Sequence, residues 1–326
     1  MLGAMKAVTV SPTALTDAEL PDPTPGDNDL LVAVEAVSVN PIDYKMRARY
    51  ERDADGTKVL GFDAVGTVKE VGKKATGFQP GDRVFYAGAQ HRQGTNAELH
   101  VVDHRIAAHA PESLSAADAA SLPLVSLTAY EGLFDRLQVP ETGTPSILVV
   151  GGAGGVGSQV SQLANALTDA FVFSTFSRRE SRDWLEKVGA HRLVDHSGNL
   201  VDALKENLVD YIFSTHSNGR AEEYAALLRP QGKVLLIDSP KDFTYEAFKQ
   251  KSISVHWESM FTRPNFETED IARQQEILAT VARLADEGKI RPLTTTILEG
   301  LSAETFERAH ELLKTDRSIG KLVVTY

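Results

Sequence analysis

The hydrophobic pattern of the chain changes near residue 125. Before that point, short apolar runs are separated by turns that carry proline and glycine, as in residues 21–26 and 78–84. Such runs are typical of β-strands, and we expect strands at residues 6–10, 29–37 and 64–72. The first part of the chain is therefore predicted to form an irregular, mostly antiparallel β domain.

In the second part of the chain, short apolar runs alternate with helical patterns, which is typical of βαβ units in a parallel sheet. The predicted strands are residues 147–150, 171–175, 192–194, 211–215, 233–237 and 253–256. Because six parallel strands complete a doubly wound sheet, this part is predicted to be an α/β domain of that kind.

The C-terminal part of the chain continues beyond this sheet. It contains a helical pattern at residues 270–287, an extended segment at 290–298, a second helical pattern at 303–313 and a closing strand at 321–325. Since the sheet is complete before this tail begins, we expect the tail to return to the first domain.

The length of the chain also favours two domains. It has 326 residues, and a single core usually stops growing at roughly 250 to 300 residues. We predict one domain from residues 1–125 together with 263–326, and a second domain from residues 126–262.

Charge and composition restrict the possible partners. The net charge of −11 argues against nucleic acid, whose binding needs clustered cations. No apolar run approaches the roughly 18 residues that span a membrane, and the first residues lack the apolar segment of a signal peptide, so we expect a cytoplasmic protein without a membrane partner. The sequence contains no cysteine, which excludes disulfides, thiolate nucleophiles and cysteine-ligated metal sites.

A glycine-rich turn follows the first strand of the second domain. It has the pattern Gly152-x-Gly154-x-x-Gly157, and a helix follows it. In such a turn the first glycine allows a tight bend, the second lets the backbone approach a pyrophosphate, and the third lets helix and strand pack closely. We predict nucleotide binding, with Gly154, Gly155 and Val156 lining the pyrophosphate; the alternative is a purely structural turn.

The end of the next strand bears on the choice of cofactor. An acidic residue there would bind the ribose 2′-hydroxyl of NAD. Instead Ser177, Arg178 and Arg179 precede the first acid, Glu180. A hydroxyl and two arginines suit the 2′-phosphate of NADPH, and Ser177 and Arg178 are expected to face it. The alternative is that the two arginines begin a solvated helix whose acids neutralise them.

The order of these parts resembles the medium-chain dehydrogenase/reductase superfamily, and within it the zinc-free quinone oxidoreductase branch. The resemblance covers nearly the whole chain and rests on the glycine turn and on residues 40–43, 61–68, 77–84 and 127–131. It implies an α/β fold with a GroES-like irregular β-barrel catalytic domain and a doubly wound Rossmann NAD(P)-binding domain. Residues 256–264 resemble a subgroup often named zinc-binding alcohol dehydrogenases.

The zinc ligands of the superfamily have no counterpart here. In its zinc enzymes the ion is held by a cysteine, a histidine and another cysteine or an acid. The matching positions are Asn40, Phe62 and Leu124, which do not form a zinc ligand set. His100 and His104 lie four residues apart in a strand-like segment, with no acid that completes a set. We therefore predict no metal site.

The predicted class of substrate follows from the expectation that no metal ion is present to act as a Lewis acid. An unpolarised alcohol is difficult to activate without a metal, whereas a conjugated acceptor delocalises the charge that hydride transfer creates. We predict an NADPH-dependent oxidoreductase that reduces a quinone or a small α,β-unsaturated carbonyl without zinc. A 2-alkenal or enoyl reductase, a zinc-type alcohol dehydrogenase and a non-catalytic NADPH-binding sensor or crystallin-like protein remain alternatives. Loops such as 47–57 and 87–96 are expected to shape the substrate pocket.

The resemblance also implies catalytic residues. Asn40 is expected beside the nicotinamide, where it orients the ring or donates a hydrogen bond to the substrate oxygen; its other interpretation is a left-handed turn residue before Pro41. Tyr44 is a candidate proton donor or aromatic wall. Asp43 is expected to bind the local backbone, and Asp63 is expected to be structural.

Further cofactor contacts come from the same resemblance. Thr128 is expected on the nicotinamide side of the cleft, and His196 occupies a position where relatives carry a tyrosine near the adenosine phosphate. Lys321 either reaches the cofactor or is a solubilising charge on an edge strand. The last strand of the Rossmann sheet, residues 253–256, has an open edge that predicts a homodimer through two-fold pairing.

Overall fold

A computed structural model describes residues 3–51, 57–204, 208–315 and 317–326. The loop at residues 47–57 therefore lies partly outside the described residues. The chain divides into two compact units, of which the first is Met1–Leu124, Phe261–Gly288 and Pro292–Tyr326, and the second is Val125–Met260 with Lys289–Arg291. The sequence assigned residues 289–291 to the first domain, and its domain boundaries stay a prediction.

The strands, in chain order, are β1 (Ala4–Val10), β2 (Leu15–Pro21), β3 (Asp29–Val39), β4 (Asp63–Val71), β5 (Arg83–Ala87), β6 (Leu99–Asp103), β7 (Ala107–His109), β8 (Ser146–Val150), β9 (Phe171–Phe176), β10 (Arg192–Asp195), β11 (Val209–Ser214), β12 (Leu228–Leu236), β13 (Ser254–Trp257), β14 (Thr294–Glu299) and β15 (Lys321–Thr325).

The α-helices are α1 (Pro41–Tyr50), α2 (Ala116–Ala120), α3 (Pro123–Tyr130), α4 (Gly155–Leu167), α5 (Arg179–Lys187), α6 (Leu200–Leu204), α7 (Ala221–Leu227), α8 (Glu246–Lys249), α9 (Thr262–Phe266), α10 (Arg273–Asp286) and α11 (Ala303–Lys314). A 3₁₀ turn covers His104–Ile106, and a π-helical turn covers Glu131–Arg136.

The first unit is built on a mostly antiparallel sheet. Its strand order is β14-β15-β3-β4-β5-β7, with β6 also paired to β3, while β1 and β2 form a separate antiparallel pair. The C-terminal strand β15 lies inside this sheet, antiparallel to β3 and parallel to β14. Residues of β3 are buried along almost its whole length, because strands pair on both of its edges and its side chains enter the core of the unit.

The second unit is a parallel sheet with the strand order β10-β9-β8-β11-β12-β13. The order reverses between β8 and β11, which is the crevice where doubly wound sheets bind their ligands. Ile147, Leu148, Val149 and Val150 of β8 are all buried, as expected for a central strand covered by helices on both faces. The predicted α/β fold, an irregular β domain with a doubly wound parallel domain, is confirmed.

Candidate functional site

The glycine turn of the second unit connects β8 to α4. The residue with a left-handed backbone is Gly151, with φ of +78°, whereas the sequence pattern placed the tight bend at Gly152. Gly152 is needed for another reason, because a Cβ there would lie 1.9 Å from the Ser174 hydroxyl on β9. The bend and the close approach to β9 are thus divided between two neighbouring glycines.

The remaining glycines of the turn differ from each other in what surrounds them. A Cβ on Gly157 would lie 2.4 Å from the carbonyl oxygen of Gly151, so the helix can approach the strand only with glycine at this position. A Cβ on Gly154 would meet only that same oxygen, at 3.7 Å. Gly154 therefore presents open backbone, which fits the close approach of a ligand.

Helix α4 begins at this open backbone. Gly154 is its N-cap, and the helix runs for 13 residues. The N–H groups of Gly155, Val156 and Gly157 lie in the first turn, where no intrahelical acceptor exists. Together with the positive end of the helix dipole they fit a pyrophosphate, so the residues present fit the cofactor that the sequence predicted.

Hydroxyl groups at the ends of two neighbouring strands support the turn. The Gly151 N–H donates to Thr175 Oγ1 at 3.0 Å, and Thr215 Oγ1 donates to the carbonyl oxygen of Val150 at 3.0 Å. His216 Nδ1 lies 2.7 Å from Thr215 Oγ1. The sequence analysis missed Thr175, Thr215 and His216, although their positions at the carboxyl ends of strands could have indicated them.

The loop that follows β9 carries the residues predicted to bind the 2′-phosphate. Ser177 is exposed, and Arg178 is half-buried as the extended N-cap of α5. Arg179 is the first residue of the helix and is exposed. Only one of the two arginines therefore begins a solvated helix. The Trp184 indole donates to Ser158 Oγ at 2.8 Å, which fixes α5 against α4.

His196 lies beside this loop. Asp195 of β10 pairs with Phe176 of β9, and the His196 N–H donates to the Phe176 carbonyl at 2.9 Å. Its Nδ1 is buried and has no hydrogen-bond partner among the described residues. Burial lowers the pKa of His196, and the nearby Arg220 lowers it further. The structure thus brings His196, Ser177 and Arg178 to one edge of the sheet.

Thr128 is buried on α3. Two residues before it, Ser126 Oγ accepts a hydrogen bond from Gln159 Nε2 of α4 at 2.9 Å. This bond ties the Thr128 segment to the helix that begins at the glycine turn.

Asn40 follows β3 in the first unit and is the N-cap of α1. Its φ of −122° and ψ of 155° are extended, so its interpretation as a left-handed turn residue is wrong. Its Nδ2 donates to the Ser38 carbonyl at 3.2 Å and to Asp63 Oδ2 at 2.8 Å, and its Oδ1 accepts from Lys321 Nζ. Both amide N–H groups are engaged inside the unit, so this arrangement leaves no donor for a substrate oxygen.

Asp63 is fully buried at the start of β4. Its Oδ2 accepts from Ser38 Oγ at 2.6 Å as well as from Asn40, and its Oδ1 accepts from the Leu124 N–H at 2.6 Å. These bonds fit the structural role expected for Asp63.

Lys321 lies in β15, between β14 and β3, and only 5% of it is exposed. The interpretation of Lys321 as a solubilising edge-strand charge is therefore wrong. Its Nζ lies 3.4 Å from the Val39 carbonyl oxygen and 3.5 Å from Asp63 Oδ2. Burial lowers the pKa of Lys321, and the carboxylates of Asp63 and Asp43 oppose that shift.

Asp43 and Tyr44 lie on the first turn of α1. As predicted, Asp43 binds the local backbone, since its Oδ2 accepts from the Asn40 N–H at 2.6 Å. Burial raises the pKa of Asp43 to about 7, against the opposing effects of that N–H group and of Lys321. Tyr44 is half-buried and packs against the core of the first unit.

The positions that match zinc ligands do not fit a metal ion. The Phe62 ring packs on Phe261 at 4.7 Å between centroids, Leu124 offers only its backbone N–H to Asp63, and the Asn40 amide is already bonded. In the part of the chain that the structure describes, no group of three or more His, Asp or Glu side chains could hold a metal ion.

The two histidines singled out in the sequence have other roles. His100, in β6, stacks on Tyr86, and its Nε2 lies 2.9 Å from the Gln93 carbonyl oxygen. His104 lies in the 3₁₀ turn, with Nδ1 at 2.9 Å from the Asn28 carbonyl oxygen. Both side chains are thus explained by bonds within the first unit.

Among the described residues, no helix is both long and apolar enough to cross a membrane.

Two family models match the chain. One, described as an alcohol dehydrogenase GroES-like domain, matches residues 26–112, and the other, described as a zinc-binding dehydrogenase, matches residues 188–324. The first match confirms the GroES-like character predicted for the β domain.

Curated relatives also match. A zinc-type alcohol dehydrogenase-like protein of Staphylococcus aureus (strain COL) is 42% identical over 311 residues, covering 93% of this chain and 92% of the relative. A 2-methylene-furan-3-one reductase of Solanum lycopersicum is 28% identical, over 91% of this chain and 72% of the relative.

Solved structures match over nearly the whole chain. A protein of Rhizobium etli CFN 42, described as a zinc-dependent alcohol dehydrogenase, has a TM-score of 0.94 at 45% identity and covers 100% of this chain and 99% of its own. The quinone oxidoreductase of Escherichia coli complexed with NADPH has a TM-score of 0.83 at 23% identity, with 99% of each chain covered. At that identity the second likeness shows the fold alone.

Proposed function

This chain belongs to the medium-chain dehydrogenase/reductase superfamily of oxidoreductases, and on that premise we propose that it passes hydride from NADPH to a quinone or a small α,β-unsaturated carbonyl without zinc. The proposal rests on the residues at the three positions that match the zinc ligands of the superfamily. Asn40, Phe62 and Leu124 offer no anionic or imidazole ligand, and an ammonium group already binds the Asn40 oxygen.

The choice of NADPH over NADH is supported by the loop after β9. Ser177 and Arg178 stand where NAD enzymes place an acid, and His196 lies beside them with an unpaired buried nitrogen. A guanidinium and a hydroxyl suit a phosphate, since both donate hydrogen bonds to its oxygens. First-turn N–H groups of α4, on Gly155 and Val156, are proposed to hold the pyrophosphate.

The acceptor class follows from what the chain can supply. When bound, NADPH supplies the hydride, and a conjugated acceptor carries the displaced electron pair to its oxygen, where a proton is added. Hydride transfer to an unactivated ketone places the charge on one oxygen without delocalisation, which makes it the more demanding reaction in a site whose residues do not hold a Lewis acid. Asn40 and Tyr44 are the proposed catalytic residues. Tyr44 is proposed as the proton donor, and Asn40 is proposed to orient the nicotinamide ring through its carbonyl oxygen, which is the part of its amide that still has hydrogen-bonding capacity.

Within this proposal, a conjugated enone or enal is the acceptor class that competes with quinones. The relative from Solanum lycopersicum is named for reduction of a 2-methylene-furan-3-one, which contains such a group. The same hydride chemistry serves both acceptor classes, so only turnover separates them. The names of other relatives include zinc, which keeps a zinc-type alcohol dehydrogenase as the competing activity.

A homodimer through β13 is part of the proposal. This strand pairs with β12 on one side. The exposed ring of Trp257, in this strand, lies beside the exposed ring of Tyr245, with 6.1 Å between the ring centroids. A paired edge would cover them. Light scattering on a size-exclusion column should give twice the chain mass, and a monomer would refute the dimer. The cytoplasmic location stays a prediction.

The proposed activity is tested by following NADPH absorbance with a set of acceptors. Benzoquinones, phenanthrenequinone, 2-alkenals and simple ketones should be compared, with NADH as the matched cofactor control. We expect turnover with quinones or enals, faster with NADPH than with NADH, and none with simple ketones. Tight NADPH binding without turnover would favour a non-catalytic binder, whereas ketone reduction would favour an alcohol dehydrogenase.

A further inference from the structure

Four polar side chains from distant parts of the sequence meet inside the first unit. Ser38, Asn40, Asp63 and Lys321 come from the end of β3, the residue after it, the start of β4 and the start of β15, and each is at most 5% exposed. We call this group the Asp63 cluster. Polar side chains buried this deeply destabilise a fold unless their partners compensate them.

The charges in the cluster compensate each other. The Lys321 ammonium donates to Asn40 Oδ1 and lies 3.5 Å from Asp63 Oδ2. Asp63 also accepts hydrogen bonds from Ser38 Oγ and from the Leu124 N–H, at 2.6 Å each. The Lys321 ammonium and the Asp63 carboxylate therefore share one water-excluded space, in which the buried Asp43 also acts on the ammonium. Removal of Lys321 would leave Asp63 without its cation, and removal of the Asp63 charge would leave the ammonium with Asp43 alone.

The two charges also determine which way the Asn40 amide points. The carboxylate of Asp63 can only accept, so it requires the NH₂ end of the amide, and the ammonium of Lys321 can only donate, so it requires the oxygen. A flipped amide would place NH₂ against NH₃⁺ and carbonyl oxygen against carboxylate. After these bonds, Oδ1 keeps one lone pair as the remaining hydrogen-bonding capacity of the side chain.

We propose that Lys321 is a fixed cation of this site: its ammonium, together with the Asp63 carboxylate, holds the Asn40 amide in the orientation that catalysis requires. Lys321 and Asp63 are then positioning residues that act through Asn40. The proposal rests on the proposed function, because Asn40 is assigned its catalytic part there.

A stability cycle tests the ion pair without any assay of activity. Lys321→Met and Asp63→Asn should each lower the melting temperature by roughly 6 to 20 °C, because each leaves one charge of the buried pair without the other. The double variant K321M/D63N removes both charges of the pair, so its loss should be smaller than the sum of the two single losses. It does not return to the stability of the wild type, because an amide at position 63 accepts on one side only. A double variant whose loss equals or exceeds the sum of the two single losses would overturn the pairing, as would single variants as stable as the wild type.

The positioning role is tested by the kinetics of the double variant. Its kcat should fall roughly 10- to 100-fold while the KM for NADPH stays unchanged, because the amide is free to turn. Addition of Asn40→Ala to the double variant should lower kcat little further. In the wild type, Asn40→Ala alone should lower kcat about as much as the double variant does. Wild-type kcat in K321M/D63N would show that the cluster is merely structural.

A matched control is available in the second unit. Lys251 Nζ donates to the carbonyl oxygens of Ala225, Ala226 and Leu228 at 2.8, 3.0 and 2.8 Å, with no carboxylate involved. Lys251→Met should lower the melting temperature without changing kcat. If the wild type oxidises no NADPH with any acceptor, the proposed function and the positioning role both fail, and the stability cycle still decides the ion pair.

Discussion

The glycine turn of the second unit and the Asp63 cluster of the first unit differ in how the sequence encodes them. The turn consists of consecutive residues, 151–157, and its function lies in the backbone, which glycine leaves bare. The Asp63 cluster takes side chains from positions as distant as Ser38 and Lys321. A backbone site can therefore be found by spacing alone, whereas a side-chain cluster is found only when the fold brings its members together.

The largest effect that would break this comparison is expected at Gly157. In Gly157→Val, the added Cβ would lie 2.4 Å from the Gly151 carbonyl oxygen. This oxygen belongs to the backbone, so it cannot move aside by a change of rotamer as a side-chain atom can. Overpacking of this kind costs about 1 to 3 kcal/mol or more, and it displaces the first turn of α4. We expect a lower melting temperature and loss of NADPH binding in a fluorescence titration.

Gly198→Val is the matched control for that substitution. A Cβ on Gly198 meets nothing within 4 Å, so stability and binding should stay close to those of the wild type. If Gly157→Val bound NADPH as the wild type does, the close helix–strand approach would not be what the glycine provides.

The first unit is expected to lose stability in acid. Burial lowers the pKa of His100 and of His310 from 6.5 to about 4, so both are neutral in the folded protein near pH 6. At these two imidazoles the unfolded chain binds more protons below pH 6.5, so they should lower stability as the pH drops from 6.5 towards 4. Asp43, whose pKa is raised to about 7, opposes part of this loss because the folded chain binds its proton first. The loss is on the order of 3 kcal/mol per histidine at pH 4.

Melting temperatures measured across that pH range would check the acid effect. His310→Leu should flatten the profile, because it removes one of the two buried imidazoles, whereas the exposed His91→Gln should leave the profile as it is. A profile of His310→Leu as steep as that of the wild type would show that His310 is not buried in its neutral form.

A smaller effect is expected at Arg178, on the cofactor alone. Arg178→Ala removes the guanidinium proposed to bind the 2′-phosphate, and a charged hydrogen bond contributes about 1.5 to 3 kcal/mol. The KM for NADPH should rise roughly 10- to 100-fold while the KM for NADH stays the same. Arg182, an exposed residue of the same helix that pairs with Glu186, gives the matched control Arg182→Ala. Equal losses with both cofactors would remove the basis for NADPH preference.

His196→Ala should have the smallest effect. If His196 binds the adenosine phosphate, the substitution should raise the KM for NADPH by a few-fold and change kcat less. Steady-state kinetics with NADPH as the varied substrate measures both. Equal changes in KM and kcat would argue against a binding role.

Much of the fold could be predicted from the sequence, because it depends on local patterns. The short apolar runs of the second unit, such as residues 147–150, are the strands of a parallel sheet, as predicted. The change near residue 125, from short strands separated by turns to βαβ units, also corresponds to a change from a mostly antiparallel sheet to a parallel one. Such periodicity acts over a few residues and does not need knowledge of distant partners.

The candidate site could be predicted only in part. Gly154 and Gly157 followed from their spacing, but the left-handed residue is Gly151, which directly follows β8 and precedes the first glycine of the Gly152-x-Gly154-x-x-Gly157 pattern. Lys321 was expected near the cofactor or on an edge, and it is instead buried between two strands. Its partners Asn40 and Asp63 are more than 250 residues away, so no local pattern could reveal them.

Turnover by metal-depleted protein tests the central claim most directly. The protein should be treated with a chelator, its zinc content measured, and NADPH oxidation with a quinone or 2-alkenal compared before and after treatment and after zinc is returned. We predict the same rate in all three samples, with no stoichiometric zinc at any stage before the addition. Stoichiometric zinc in the purified protein, with activity lost on chelation and restored by zinc, would contradict the account.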